Sequence, residues 1–236
     1  MMRKLEELKT RMFAVEALKL LKEEYSYKHL SRLFGLPIPV ISRYVNGHVL
    51  PNIKRSKKII NRFRSRYLIK LIRRKIKFEK TGTFDHSAIL SNGNLLEKIA
   101  SIVFQEFSSL KVDKILSVET DGIPLAIEVG KQFGVNTVIA KRNKEVGIEE
   151  FIEVKRFYLT GTYSYLYIPK GSIRKGERIL IVDDVIRTGS TIEAMKEMCK
   201  KTGSEVVGVF TIISVGDSIK RLEKELSCPM KSLVRV

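Results

Sequence analysis

Thirteen consecutive residues carry the most chemistry in this chain: Ile179-Leu180-Ile181-Val182-Asp183-Asp184-Val185-Ile186-Arg187-Thr188-Gly189-Ser190-Thr191. Four apolar, mostly β-branched residues predict a buried strand over 178–182. Two adjacent carboxylates end it, and a turn rich in hydroxyls and glycine opens a helix over 191–201. Acids are thereby set at the carboxyl end of a strand, where open α/β sheets bind ligands. Backbone N–H groups and hydroxyls gather at a helix N-terminus, which favours anions. A ligand with a phosphate and a diol fits both halves. Thr188, Ser190, Thr191 and the turn amides would hold the phosphate, and Asp183 and Asp184 would accept hydrogen bonds from two sugar hydroxyls.

Such a loop needs a sheet behind it, and from about residue 81 the pattern supplies one. Thr81-Gly82-Thr83 and Ser91-Asn92-Gly93-Asn94 are loop signals. Helices are expected over 95–109 and 123–133, strands over 111–118, 135–140 and 205–213, and a hairpin of 151–159 with 163–169. Strand–helix alternation of this kind predicts a mainly parallel sheet flanked by helices. A second loop, Glu119-Thr120-Asp121-Gly122, also lies between a strand and a helix and continues Ile123-Pro124-Leu125-Ala126. Lys141-Arg142-Asn143-Lys144 follows the next strand.

These three segments, in this order and spacing, resemble the type I phosphoribosyltransferases over about residues 85–215. The resemblance implies that Asp183, Asp184, Val185, Ile186, Arg187, Thr188, Gly189, Ser190 and Thr191 form the site for 5-phosphoribosyl 1-pyrophosphate (PRPP). Thr120, Asp121 and Gly122 would take its pyrophosphate, Asp121 through Mg²⁺. Lys141, Arg142 and Lys144 are the candidate cations for the same group, with no choice among them. In hypoxanthine-guanine transferases the position of Arg187 is an acid that takes the base's proton. A guanidinium cannot accept a proton at neutral pH, so Arg187 argues against 6-oxopurine transfer by that route. Adenine and orotate transferases tolerate other residues there.

Charge divides the chain. Residues 1–80 hold 22 Lys+Arg against 6 Asp+Glu, and residues 81–236 hold 22 against 20. A nearly neutral body behind a basic head points to a polyanion partner for the head. Within it, apolar residues Leu5, Leu8, Met12, Val15, Leu18 and Leu21 predict a helix over 3–24. Ser26 caps a second helix over 27–34, Gly35 makes a turn, and a third helix follows over 37–46, stopped by Gly47. The run from Leu30 through Ile41-Ser42-Arg43-Tyr44-Val45-Asn46-Gly47 to Pro51 resembles the helix-turn-helix of the Cro and lambda-repressor family. The resemblance implies that the third helix enters the major groove of DNA. Pro37, Ile38, Pro39 and Val40 at its start make no bidentate hydrogen bonds, although Ile38 and Val40 could touch thymine methyls. Ser42, Arg43 and Asn46 are the polar candidates, with Tyr44, His48, Lys54 and Arg55 near the backbone. A long basic helix is expected over 53–78, with a packing stripe of Ile59, Ile60, Phe63, Tyr67, Leu71 and Ile72.

The expected organisation is therefore a helix-turn-helix domain (1–52), a basic linker helix (53–80) and a phosphoribosyltransferase-like domain (81–236). The two resemblances together match regulators of the purine-operon repressor kind. They imply a dimeric, cytoplasmic regulator of purine-related genes that binds a double-stranded operator and reads PRPP, with Mg²⁺ or a competing purine nucleotide. The alternative is an active phosphoribosyltransferase with a nucleic-acid-binding head. No run of 18 apolar residues occurs, so no membrane span is expected. Cys199 and Cys228 lack metal spacing and read as packing residues.

Overall fold

The computed structural model describes residues 2–80, 82–158 and 160–236. Thr81 of the expected loop and Leu159 of the expected hairpin lie outside the described residues. The chain folds as two compact units, Met1–Leu95 and Leu96–Val236.

The first unit begins with α1 (Met2–Glu24), α2 (Tyr27–Phe34), α3 (Ile38–Val45) and α4 (Ile53–Arg62). Local chemistry sets their ends. Ser26 Oγ accepts from the His29 N–H at 3.2 Å, capping α2, and Asn52 Oδ1 accepts from the Arg55 N–H at 2.9 Å, capping α4. Gly35, at φ 65°, closes α2 in the left-handed conformation that glycine adopts without penalty. α1 packs on α4 and α3, and α2 packs on α3, around Ala14, Leu18, Leu21, Leu30, Phe34, Ile41 and Ile59. Only the second half of the α1 stripe reaches this core: Val15, Leu18 and Leu21 are buried, whereas Leu5, Leu8 and Met12 are exposed.

The basic helix expected over 53–78 is broken. After α4 comes a π-helical turn, Phe63–Tyr67, in which the Leu68 N–H reaches back to the Phe63 carbonyl. α5 (Leu68–Lys75) follows, then β1 (Lys77–Phe78) pairs antiparallel with β2 (Phe84–Asp85), and α6 (Ser87–Leu90) comes next. The π turn carries one residue more than an α-turn. The buried position after Phe63 is therefore Leu68 rather than the expected Tyr67, which is half-buried.

α7 (Gly93–Phe107) leads into the second unit. There the order is β3 (Lys114–Val118), α8 (Ile123–Phe133), β4 (Asn136–Ala140), β5 (Phe151–Phe157), β6 (Tyr163–Pro169), β7 (Arg178–Ile186), α9 (Ser190–Thr202), β8 (Glu205–Ser214), α10 (Ser218–Leu226) and β9 (Met230–Arg235). Five strands form one parallel sheet in the order β4-β3-β7-β8-β9. The hairpin β5–β6 packs on α9 and extends the layer with Val154, Leu166 and Ile168 in the core. The expected parallel α/β architecture is thus present. β3 starts at Lys114 rather than 111: the Asp113 carboxylate grips the Arg178 guanidinium at 3.0 and 3.2 Å, just before the ladder begins. Residues after 214, to which sequence analysis assigned no element, supply α10 and the edge strand β9. Cys199 and Cys228 are free and buried, and burial pushes the Cys199 thiol up to about 11. Among the described residues no helix is long and apolar enough to cross a membrane.

Candidate functional site

β3 and β7 pair only as far as Leu116 and Ile181, while β3 stays with β4 to Val118 and β7 stays with β8 to Ile186. The sheet therefore opens between β3 and β7, with neighbouring strands running on to either side. In open α/β sheets such a reversal of strand order is where ligands enter. Both glycine loops singled out in the sequence lie at this opening.

The acids do not end the β7 strand, as expected, but sit within it. Asp183 is 4 % exposed and Asp184 8 %. The reason is β8, whose register pairs Asp183 with Thr211 and continues to Ser214. The Asp184 N–H donates to Asp183 Oδ1 at 3.0 Å, and Thr211 Oγ1 donates to the Asp184 carbonyl at 2.8 Å. Burial pushes the Asp183 carboxyl well above its usual range. The negative charge of Asp184 and a hydrogen bond to it add to the rise, and the Arg156 charge opposes it. Burial and the neighbouring carboxylate thus favour the protonated form of Asp183.

Below the pair lies Ser117 of β3, fully buried, whose Oγ has no hydrogen-bond partner. Gly122 closes over it: a Cβ there would stand 2.5 Å from Ser117 Oγ and 2.9 Å from Asp183 Oδ1. Gly122 has ordinary helical backbone angles, so closeness, not a left-handed turn, is what demands glycine here.

The loop after β7 is built differently. Gly189, at φ 86°, is the N-cap of α9, and a Cβ on it would meet Leu222 Cδ1 at 2.7 Å. α10 therefore supports the turn from beneath. Thr188 Oγ1 donates to Ser190 Oγ at 3.3 Å, Arg156 Nε donates to the same Ser190 oxygen at 3.3 Å, and the Arg221 guanidinium donates to the Thr188 carbonyl. Arg187 and Thr188 are exposed, Val185, Ser190 and Thr191 half-buried, and Ile186 fully buried. Ile186 packs in the core, so it contributes its backbone and not its side chain.

In the second loop the Glu119–Thr120 peptide is cis. Thr120 and Asp121 are exposed. A carboxylate oxygen of Asp121 lies within 4.8 Å of one from Asp184. Two carboxylate oxygens this close can share one divalent cation. Of the three expected cations, Lys141 pairs with Glu145, and Lys144 pairs with Glu153 at 3.4 Å. The Arg142 side chain has no acid partner among the described residues, and its N–H donates to Glu119, which ties the two loops together.

Ser117, Arg156, Arg221 and Leu222 did not stand out in the sequence as site residues. Only Ser117 left a local signal, as a lone hydroxyl in an apolar strand; the others arrive from the hairpin and from α10 by tertiary packing. In the first unit, Ile38, Arg43, Asn46, His48, Lys54 and Arg55 are exposed, and Val40 and Ser42 half-buried. Tyr44 is 4 % exposed, and its hydroxyl accepts from Arg55 Nη1 at 3.0 Å. Its ring is core, so it orients Arg55 instead of facing solvent.

Asparagine at 183 makes a stability prediction. The folded carboxyl binds its proton more tightly than the unfolded one, whose ordinary value is 3.8. Across the pH window above that value the folded state holds more protons, so stability falls as pH rises. Asp183→Asn keeps the Oδ1 acceptor and removes this cost. Its melting temperature is expected to exceed the parent's by about 2–4 °C near neutrality, with the gap closing toward pH about 4. Thermal unfolding across pH measures it; a gap that stays constant with pH would contradict the assignment.

A parallel five-stranded sheet, carboxylates and a hydroxyl loop at its opening, and a glycine-tight second loop define an α/β protein of the phosphoribosyltransferase class. The chain belongs to the phosphoribosyl transferase domain family, whose model matches residues 85–231. It is 36% identical over 140 residues to a hypoxanthine/guanine phosphoribosyltransferase of Methanobacterium lacus, covering 59% of this chain and 71% of that one. It is 30% identical over 154 residues to a probable purine biosynthesis transcriptional regulator, PurR, of Streptococcus pneumoniae, covering 64% of this chain and 54% of that one. Among solved structures, the adenine phosphoribosyltransferase of Thermoanaerobacter pseudethanolicus superposes with a TM-score of 0.63 at 20% identity, over 71% of this chain and 99% of that one. That last likeness concerns the fold alone.

Proposed function

We propose that this chain is a DNA-binding regulator of purine-related genes whose phosphoribosyltransferase-type unit senses PRPP. In this reading Asp183 and Asp184 accept the ribose hydroxyls. The amides and hydroxyls of Arg187 through Thr191 hold the 5-phosphate, and Thr120, Asp121, Gly122 and the Arg142 region receive the pyrophosphate. A Mg²⁺ ion at Asp121 would neutralise pyrophosphate charge. The first unit serves as a helix-turn-helix, with α3 as the reading helix and Lys54 and Arg55 on phosphates. It acts in the cytoplasm as a homodimer on a two-fold operator. A coupling of about 1–3 kcal/mol between ligand and DNA makes a useful switch.

The observation that carries this reading is the charge partition: 22 cationic against 6 acidic residues in the first 80, and near balance afterwards. A transferase alone has no use for such a head. DNA affinity measured at fixed salt, with and without PRPP and Mg²⁺, tests it. An affinity indifferent to PRPP rejects the sensor. The phosphate role also predicts a salt dependence. Lys54→Gln and Arg55→Gln should each flatten the slope of log affinity against log salt by about one. A slope unchanged in both variants removes α4 from the interface.

The second reading, an active transferase, is supported by the 36% identity to the Methanobacterium lacus enzyme. Arg187 weighs against it for 6-oxopurines. Nucleotide formation from PRPP and hypoxanthine, guanine or adenine, at an ordinary enzymatic rate, decides in its favour.

A further inference from the structure

The β5–β6 hairpin is apolar on its inner face and aromatic on its outer one. Its inner face places Ile152, Val154, Leu166 and Ile168 against the core. The outer face of such a ribbon is ordinarily polar. Here it carries Phe157, Tyr163, Tyr165 and Tyr167 in a continuous row, with ring centroids 6.3, 5.6 and 6.2 Å apart. Phe157 is 63% exposed and Tyr163 54%. Two lysines are threaded between the rings. Lys155 Nζ lies 4.7 Å from the Tyr163 centroid and 5.9 Å from that of Tyr165, and Lys144 Nζ lies 5.1 Å from that of Tyr167. The one acid on this face, Glu153, pairs with Lys144.

We propose that this outer face is a stacking platform for single-stranded nucleic acid. A single strand offers bases and phosphates together, and this face offers a row of rings with two cations among them. Aromatic rings take bases of any identity, and cations track the backbone. A duplex cannot use the platform, because its base faces are already stacked on each other. A second copy of the chain is a poorer occupant: Lys155 stands in the middle of the row, whereas the centres of protein interfaces are depleted in lysine. Side chains at alternate strand positions lie about 6.6–6.8 Å apart, so successive tyrosines address successive bases of an extended strand. The face borrows Lys144 from the segment after β4 and lies opposite the side from which Arg156 reaches Ser190; the inference does not depend on the regulator reading.

The test uses the full chain, a fluorescein-labelled uridine oligonucleotide and a DNA duplex of equal length, by anisotropy. Salt of about 0.3 M suppresses the purely phosphate-driven binding of the basic unit. The Tyr163→Ala/Tyr165→Ala variant should bind the single strand on the order of tenfold or more weakly, with duplex affinity unchanged. Tyr163→Phe/Tyr165→Phe, which keeps the rings, should bind like the parent. If the double alanine variant misfolds, Tyr163→Ala alone supplies the comparison, since that ring is mostly in solvent. Unchanged single-strand affinity overturns the proposal, as does equal loss for both nucleic acids. A shift from dimer to monomer in sedimentation overturns it too, by making the face a contact between copies.

Discussion

Asp184→Asn is expected to abolish PRPP binding, by about a hundredfold or more, and to leave ligand-free DNA affinity within about 0.5 kcal/mol of the parent. The asymmetry between the two acids is the reason. Asp183 is held toward its protonated form by burial and by its neighbour, so an amide at 183 imitates much of what is already there. In the proposed site Asp184 is the acceptor that the diol needs. An amide at 184 presents N–H groups to hydroxyl donors and leaves them unpaired in a site that is 8 % exposed, where an unmatched polar group costs several-fold more than in water. Titration calorimetry with PRPP and Mg²⁺ on both variants reads the difference directly. Asp183→Asn should lose less affinity than Asp184→Asn; the reverse order would overturn this asymmetry. Equal loss of ligand and DNA binding in Asp184→Asn would instead mean that the change unfolds the protein.

The second large effect belongs to Gly122→Ala. One methyl group must enter a space where Ser117 Oγ, Asp183 Oδ1 and the Val118 carbonyl stand at 2.5, 2.9 and 3.2 Å from its position. None of these is the free end of a flexible chain: Ser117 and Val118 belong to β3 and Asp183 to β7. Overpacking of this kind costs about 1–3 kcal/mol, a fall of roughly 2–4 °C in Tm per kcal/mol for a chain of this size. Ligand binding should fall with it, because the methyl pushes Asp183 and the 119–122 loop apart. The double variant Gly122→Ala/Ser117→Ala removes the closest clash. It should regain part of the stability without regaining PRPP binding, since the contact to Asp183 remains. A parental Tm in the single variant would sink the steric argument.

The parts of the fold that were legible in the sequence are those fixed by near neighbours. The Ile179–Val182 run, the capping by Ser26, the turn at Gly35 and the helix beginning at Ile123 all follow from a few adjacent residues. What escaped depends on distant ones. The extension of β7 through both aspartates comes from pairing with β8, so a pair of acids that reads as a turn is in fact strand. α10 and β9 carry no motif, yet Leu222 packs against the Gly189 turn. Arg156 reaches Ser190 from a hairpin 34 positions earlier, a distance over which sequence spacing carries no geometric information. The candidate site was therefore readable as two loops, while its floor at Ser117 and its flanking guanidinium were not.

The π turn at Phe63–Tyr67 has a consequence for chain length. An α-helix advances about 100° per residue, and the extra residue there rotates everything beyond it by one such step. Ile59 and Ile60 before the turn, Phe63 at its start, and Leu68, Leu71 and Ile72 after it, reach the interior together because of that offset. The segment works like a gear with one added tooth. Swapping side chains along it is tolerable where they face water, but deleting one position, even solvent-facing Ser65, would swing one of the two anchoring sets out of mesh.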